Sequence, residues 1–179
     1  YQEKYYPHLS GVAQSYNYYP VAHMEPEDGY AVSALGLGQY VVEGEKAYRF
    51  SPKYPKLQNN TPQDLLKGSQ VYFYAINMKE QDLDLLEMGQ DAGLSRLEIS
   101  AAEKHGTLKH CASVYDPDND RIEAGLSSAG PRIVNFADIL QYEYTPLAKT
   151  LELILNVVKE ALGAPVEIEY ALDLEKDDQ

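Results

Sequence analysis

Val166-Glu-Ile-Glu-Tyr-Ala-Leu172 alternates apolar and polar residues near the C-terminus. Strict alternation predicts a half-buried β-strand, in which one set of side chains faces the core and the other set faces away from it. Glu167 and Glu169 should therefore share one face, roughly 7 Å apart at Cα. Carboxylates at that spacing can converge on one hard cation, such as a Mg²⁺ that also holds phosphates. A solvated acidic strand face explains the same pattern without a ligand.

The helix before this strand is defined by its ends and by its apolar face. Thr145 is predicted to cap it, Pro146 suits its first turn, and Gly163 is predicted to end it. Its apolar stripe comprises Leu147, Leu151, Ile154, Leu155, Val158 and Leu162. This stripe should pack on the sheet face that holds Ile168 and Tyr170. The pattern predicts an α+β fold with a largely antiparallel sheet and packed helices.

Two segments in the first third of the chain combine strand-like runs with glycine. Residues 10 to 15 read Ser-Gly-Val-Ala-Gln-Ser. Residues 29 to 44 give a short apolar strand, the break Gly36-Leu37-Gly38, and a small apolar element that closes on Gly44. Around such a break, backbone N–H groups can approach a ligand.

The order of these segments resembles the ATP-grasp nucleotide-binding domain of phosphoenolpyruvate synthase and pyruvate phosphate dikinase, in its C-terminal part. Members of that family carry a strand of the type Ser-Gly-Val-x-Phe-Thr, then Gly-Leu-Gly-Glu followed by Val-Val-x-Gly. After an amphipathic helix comes a strand of the type Asp-Ile-Glu-Trp/Phe-Ala, and residues 167–171 read Glu-Ile-Glu-Tyr-Ala here. The resemblance implies a partial ATP-grasp domain that binds ATP and Mg²⁺.

The resemblance also implies which residues form the site. The nucleotide-binding set comprises Ser15, Gly36, Leu37, Gly38 and Gln39. Glu169 falls on the strand glutamate that holds the magnesium of bound ATP in the family, and Glu167 stands where the family usually has aspartate. Gln39 replaces the glutamate of Gly-Leu-Gly-Glu, which removes a charge beside the expected cleft.

The resemblance implies that residues 1–179 are one unit of a longer phosphotransferase. In the family, ATP phosphorylates a histidine on a separate domain, which carries the phosphoryl group to pyruvate on a third domain. The expected partners are therefore an N-terminal ATP-grasp lobe, a phosphohistidine domain and a pyruvate-binding domain. The chain starts at Tyr1 without methionine, as an excised piece would, and no histidine here sits in the family's histidine motif. We expect the piece to be inactive alone.

A second hypothesis comes from another functional class. The chain has 16 Tyr, 3 Phe and no Trp, and its first nineteen residues contain six of the tyrosines. Tyrosine combines apolar area with a polar tip, so such a stretch suits a protein interface. A non-catalytic regulatory or interaction module that keeps the ATP-grasp shape therefore stays open. A secreted carbohydrate-binding β domain is a third possibility, which only the same tyrosines suggest.

Composition limits the partners. A net charge of −13 disfavours nucleic acid and anionic membrane surfaces. Cys111 is the only cysteine, so no intramolecular disulfide can form, and a reduced cytoplasmic setting with Cys111 as a buried hydrophobe is expected. A small basic cluster comprises Lys46, Arg49, Lys53 and Lys56. These side chains are either phosphate ligands or solvated lysines at a sheet edge.

The middle of the sequence predicts helices, strands and a turn, but no functional site. Thr61 should cap a short helix after a long loop, and residues 71–76 read as a buried strand. A helix is predicted over residues 80–90. Strands are predicted over residues 97–101, 107–115 and 121–126. Three aspartates within residues 116–120 lack the glycine and glutamate of a calcium loop, so a hairpin turn is predicted there.

Overall fold

The computed structural model describes residues 1, 3–79 and 93–174. Across these residues the fold is α+β, and every strand pairing is antiparallel. The strands are β1 (Lys4–Tyr5), β2 (Leu9–Gln14), β3 (Tyr30–Ala34), β4 (Tyr48–Phe50), β5 (Tyr72–Asn77), β6 (Leu94–Glu98), β7 (Ala112–Asp116), β8 (Arg121–Ala124), β9 (Arg132–Val134) and β10 (Glu167–Leu172). The helices are α1 (Gln39–Val42), α2 (Pro62–Gly68), α3 (Ile99–His105), α4 (Ala137–Leu140) and α5 (Leu147–Leu162), with a 3₁₀ turn at Pro26–Asp28.

The predicted antiparallel α+β class is confirmed, but the strands form three sheets rather than one. One sheet has four strands in the order β10-β2-β3-β4, and two have three strands, β1-β5-β6 and β8-β7-β9. The main hydrophobic core draws on all three, for example through Ala13, Phe73 and Val134.

The four-stranded sheet has a core face and an open face because side chains alternate along each strand. In β10, Ile168 and Tyr170 pack against the core, whereas Glu167 and Glu169 are exposed on the other face, as the alternation predicts. Glu169 lies opposite Val12 of β2, and Val12 lies opposite Val32 of β3. The strand that decides the fold therefore lies at one edge of this sheet.

Fewer apolar side chains of helix α5 are buried than its sequence predicts. Leu147, Leu151 and Leu155 are buried in the core, but Ile154 and Leu162 of the predicted stripe are exposed. Only one side of the helix is therefore covered by the core. The predicted cap is also wrong, because Pro146 occupies the N-cap position and no side chain caps the helix.

The C-terminal end of α5 follows the prediction. Gly163 ends the helix in the left-handed conformation, at φ +63° and ψ +22°. This conformation costs glycine little, and its N–H donates to the carbonyl of Lys159.

Three other sequence predictions have mixed outcomes. Thr61 caps α2 with a reciprocal capping box to Asp64, as expected. The predicted strand over 97–101 is wrong beyond Glu98, because residues 99–105 form α3. The predicted strand over 107–115 is wrong before Ala112, since residues 107–111 form a turn. The predicted helix over 80–90 lies outside the described residues.

The turn after β7 and the single cysteine behave as predicted. Asp116 accepts hydrogen bonds from the backbone N–H groups of Asp118 and Asn119, which explains the aspartate cluster as turn chemistry. Cys111 is fully buried, and burial raises the pKa of its thiol to about 12. A thiol with that pKa is a poor nucleophile at neutral pH. None of the helices among the described residues is long and apolar enough to cross a membrane.

Candidate functional site

A groove of about 460 Å³ lies on the open face of the four-stranded sheet, at its β10 edge. Its floor is β2 at Ser10 and Val12, one wall is β10 at Glu169, and the other wall is α1 with Gly38 and Gln39. The acidic strand at the end of the chain and the glycine turn from its first third therefore share one groove. This volume falls in the range of small-molecule and cofactor sites.

The two glycines of the turn have different surroundings. Gly36 has φ +86°, and a Cβ there would lie 2.7 Å from the carbonyl oxygen of Tyr74. Gly38 has an ordinary helical φ of −59°, and a Cβ there would meet only the hydroxyl of Ser10, at 3.9 Å. Gly36 is thus required by the backbone, whereas Gly38 leaves space open toward the groove.

The two acids of β10 are also not equivalent. Glu169 lines the groove. Glu167 lies two residues away on the same exposed face, outside the groove lining, and its carboxylate accepts a hydrogen bond from the side-chain amide of Gln14. The structure therefore brings Glu169, but not Glu167, to the glycine turn.

Gln39 belongs to a polar network on the α1 wall. Its side-chain amide donates to Glu43 at 2.9 Å, and the hydroxyl of Tyr74 donates to the same carboxylate at 2.8 Å. The hydrogen bond from Gln39, followed by that from Tyr74, lowers the pKa of Glu43. The hydrogen bond to Glu43 and burial raise the pKa of Tyr74 to about 12. A glutamate at position 39 would repel Glu43 instead of binding it.

Ser15 and Leu37 lie outside the groove lining, and their role in binding stays a prediction. The hydroxyl of Ser15 is buried and accepts a hydrogen bond from the N–H of Val166 at 2.8 Å. The N–H of Leu37 donates to the carbonyl of Tyr74 at 3.0 Å. Ser15 holds the start of β10 in register, and Leu37 ties the glycine turn to β5. Both residues shape the groove from outside it.

The predicted basic cluster does not reach the groove either. Lys53 pairs with Asp28 at 2.6 Å, and Lys56 pairs with Glu143 at 3.4 Å. Lys46 donates to the carbonyl of Lys67 at 2.8 Å. Arg49 lies at the opposite edge of the sheet, on β4. Of the described residues that line the groove, none is Lys or Arg.

Sequence reasoning missed Ser10 as a groove residue. Its buried hydroxyl donates to the carbonyl of Gly36 at 2.6 Å, so it ties the floor of the groove to the glycine turn. Residue 10 is the serine of the Ser-Gly-Val run. Because residues 10 and 12 of a strand share one face, the sequence could have placed Ser10 with Val12 on the face of Glu169.

Tyr170 and Gly11 fix the β10 wall from the core side. The hydroxyl of Tyr170 hydrogen-bonds that of Ser33 at 2.8 Å and donates to the carbonyl of Val32 at 3.1 Å. Its ring lies over Gly11, where a Cβ would come within 2.7 Å of the ring carbon that bears the hydroxyl. Burial raises the pKa of Tyr170. The wall that carries Glu169 is therefore held rigidly against β2.

The described part of the groove offers few metal ligands. Within the described ranges, no group of three or more His, Cys, Asp or Glu side chains is arranged to hold a metal ion. A single carboxylate such as Glu169 does not bind a cation tightly by itself. Magnesium, however, is often held by one or two carboxylates together with the phosphates of a nucleotide. A cation beside Glu169 would therefore need most of its ligands from a bound molecule, such as the oxygens of phosphates.

We compared the chain with protein-family models, with curated proteins and with solved structures, and none of these comparisons gives a match. The likeness to the ATP-grasp family consequently rests on the order of the three sequence landmarks.

Proposed function

We propose that this chain is the magnesium-nucleotide-binding lobe of a phosphotransferase similar to phosphoenolpyruvate synthase or pyruvate phosphate dikinase. ATP would lie in the groove, and its phosphoryl group would pass to a histidine on another domain of the same enzyme. The observation that carries the proposal is that Glu169 and Gly38, from opposite ends of the chain, line one groove.

The charges of the groove define how it would hold the ligand. The phosphates of ATP carry several negative charges, and the described groove lining offers the carboxylate of Glu169 but no Lys or Arg. Bare ATP would be repelled, whereas Mg²⁺ between Glu169 and the phosphates turns this repulsion into attraction. The remaining phosphate charge requires cations from a second lobe. This requirement accounts for our expectation that the chain alone does not turn over ATP.

Gln39 influences this lobe through Glu43 rather than through the ligand. Its amide holds the Glu43 carboxylate on α1, one helical turn along. The wall of the groove thereby loses one negative charge relative to a glutamate at the same position. The substitution is compatible with nucleotide binding, and its cost would appear in turnover.

The proposal is tested by magnesium-dependent ATP binding to the chain. We expect ATP with Mn²⁺, a paramagnetic substitute for Mg²⁺, to broaden the amide signals of Val12, Gly38 and Ala171 in NMR spectra. ATP with EDTA should not. In Glu169→Gln, the affinity measured by titration with Mg²⁺ and ATP should fall by at least about tenfold, the loss found for weakened metal shells.

Glu167→Gln is the matched control, because it makes the same charge change on the same strand face. Since Glu167 lies outside the groove lining, its variant should keep the affinity within about threefold. Gly38→Leu fills the groove without a backbone penalty and should abolish the broadening. Equal losses for both glutamine variants would reduce the effect to general electrostatics, and unchanged affinity in Glu169→Gln would refute the ligand assignment.

A non-catalytic interaction module is the second candidate, and one observation favours it. The outer side of α5 exposes Leu153, Val157 and Leu162, and the exposed fraction of each exceeds half. Exposed apolar patches on a helix commonly mark protein contacts. If the chain binds no ATP in the presence of Mg²⁺ or Mn²⁺, this candidate replaces the first.

A further inference from the structure

A second cavity lies at the other edge of the four-stranded sheet, beside β4. It has a volume of about 170 Å³ and is lined by two loops, one after β2 that includes Asn17 and Tyr19 and one after β4 that includes Asn60. An engineered cavity of about 150 Å³ accepts a benzene molecule. The cavity beside β4 can therefore hold a small organic molecule rather than a nucleotide.

Arg49 is the charged group of this cavity, and its guanidinium is fixed on two sides. Its Cζ lies 3.6 Å from the centroid of the Tyr30 ring. Its Nη2 donates to the side-chain oxygen of Asn17 at 2.9 Å, and the same oxygen accepts from the N–H of Tyr19 at 3.0 Å. A guanidinium has five N–H donors, and Asn17 takes one of them. The others remain available at a held position.

The charge of Arg49 is not balanced locally. Over residues 1, 3–79 and 93–174, no Asp or Glu oxygen lies within salt-bridge distance of its guanidinium. The chain as a whole carries a net charge of −13. An arginine without an acidic partner can attract an anion locally, although the net charge of the protein repels anions at long range.

The rest of the lining is divided between polar and apolar groups. Asn59 and Asn60 offer amide groups, whereas Met24, Phe50 and Leu57 are apolar. Met24 and Phe50 are buried in the protein and give the cavity an apolar wall. A ligand that fits both parts has one charged end and a small apolar body.

We propose that this cavity binds a small organic carboxylate of about six to ten non-hydrogen atoms, a size set by comparison with the benzene-sized cavity. The carboxylate accepts hydrogen bonds from Arg49, whose planar fork matches its two oxygens. The apolar body lies against Met24 and Leu57. This site is separate from the groove, since two strands lie between β10 and β4.

Benzoate is a suitable probe, and benzamide is its uncharged counterpart of the same shape. In a titration of the chain followed by NMR, benzoate should shift the amide signals of Asn17, Tyr19 and Asn60. Benzamide should bind at least about tenfold more weakly, because it lacks the charge that Arg49 recognises. Arg49→Gln should lower the affinity for benzoate to that for benzamide. The affinity of Arg49→Lys for benzoate should lie between these values, because lysine keeps the charge but cannot make the bidentate contact.

Arg96→Gln is the matched control. Arg96 stacks on Tyr72 in the same way, with Cζ 3.5 Å from the ring centroid, but it lies on β6 of another sheet. Its variant should leave benzoate binding unchanged. A second variant, Asn60→Phe, fills the cavity from an exposed loop position without altering the contact between Arg49 and Asn17. It should abolish binding while the chain stays folded.

The proposal fails if benzoate and benzamide bind equally, if Arg49→Gln retains benzoate binding, or if Asn60→Phe does not reduce it. It also fails if the shifted amides lie away from the cavity. These results are independent of ATP, so the proposal can fail while the proposed nucleotide groove stands, and the reverse is also true.

Discussion

The two edges of the four-stranded sheet have opposite charges on the same open face. Glu169 of β10, Val12 of β2, Val32 of β3 and Arg49 of β4 are successive cross-strand neighbours in one row. At the β10 edge, the acid faces an open groove walled by a short helix. At the β4 edge, the arginine faces a small cavity lined by loops.

This difference shows how a sheet can keep two kinds of site apart. Three strand spacings separate the ends of the row, roughly 14 Å. Charges at that separation are largely screened from each other at physiological salt. One face can therefore attract a cation at one edge and an anion at the other. The two valines between them keep the middle of the row free of charge.

The largest expected effect comes from loosening the β10 edge at Gly11. In Gly11→Ala, the new Cβ would lie 2.1 Å from the carbonyl oxygen of Val32 and 2.6 Å from the hydroxyl oxygen of Tyr170. One of these groups has to move, so we expect the free energy of unfolding to fall by about 3 kcal/mol. Urea denaturation followed by circular dichroism measures this change.

Gly68→Ala is the control for that experiment. Gly68 is the last residue of α2, and a Cβ there would have no atom within 4 Å. Alanine at such a position should leave stability unchanged or raise it by about 0.5 kcal/mol, because the unfolded chain loses conformational freedom. If the two variants were equally stable, Tyr170 and β3 would not hold the β10 edge as described.

A smaller loss of stability is expected when one tyrosine at each edge loses its hydroxyl. Tyr170→Phe removes a hydroxyl that bonds both Ser33 and the carbonyl of Val32. We expect a loss of about 1.5 kcal/mol, since two hydrogen bonds of a largely buried hydroxyl would be removed. Tyr48→Phe on β4 should cost less than about 0.5 kcal/mol, because burial alone, without a hydrogen bond, raises the pKa of its hydroxyl within the described part of the chain. Equal losses in thermal or urea unfolding would contradict this difference between the edges.

The smallest expected effect is on stability at acid pH, through the ion pair between Asp28 and Lys53 beside β4. Burial raises the pKa of Asp28, but hydrogen bonds from Lys53 and from the N–H of Glu25 outweigh it and leave this pKa below its ordinary value. A carboxyl whose pKa is lowered by folding contributes stability above its unfolded pKa of about 3.9. That contribution is lost as the pH falls through the lower folded value.

Asp28→Asn should therefore reduce the difference in urea midpoint between about pH 6 and about pH 2.5, because one acid-sensitive contact is gone. Lys53→Met removes the other partner and should act in the same direction. An unchanged difference in both variants would mean that the pair between Asp28 and Lys53 does not stabilise the fold.

Local patterns predicted the elements wherever one interaction dominates. The alternation around Glu169 gave β10 and its two faces, the capping residues gave α2 at Thr61, and Gly163 gave the end of α5. The pattern does not predict α3, because Ile99 and Ala101 suit either a strand or a helix and only packing decides between them. The stripe of α5 was overestimated because apolar spacing does not tell how much of a helix a neighbour covers.

The sequence by itself determined the strand at residues 167–172, the face shared by Glu167 and Glu169, and the turn at Gly36, because alternation and glycine conformations are local properties of the chain. Only the tertiary structure decided that Glu169 reaches the groove and Glu167 does not, and that Arg49 lies at the far edge. Those outcomes depend on strand order and register, which join residues far apart in the chain and leave no local signal.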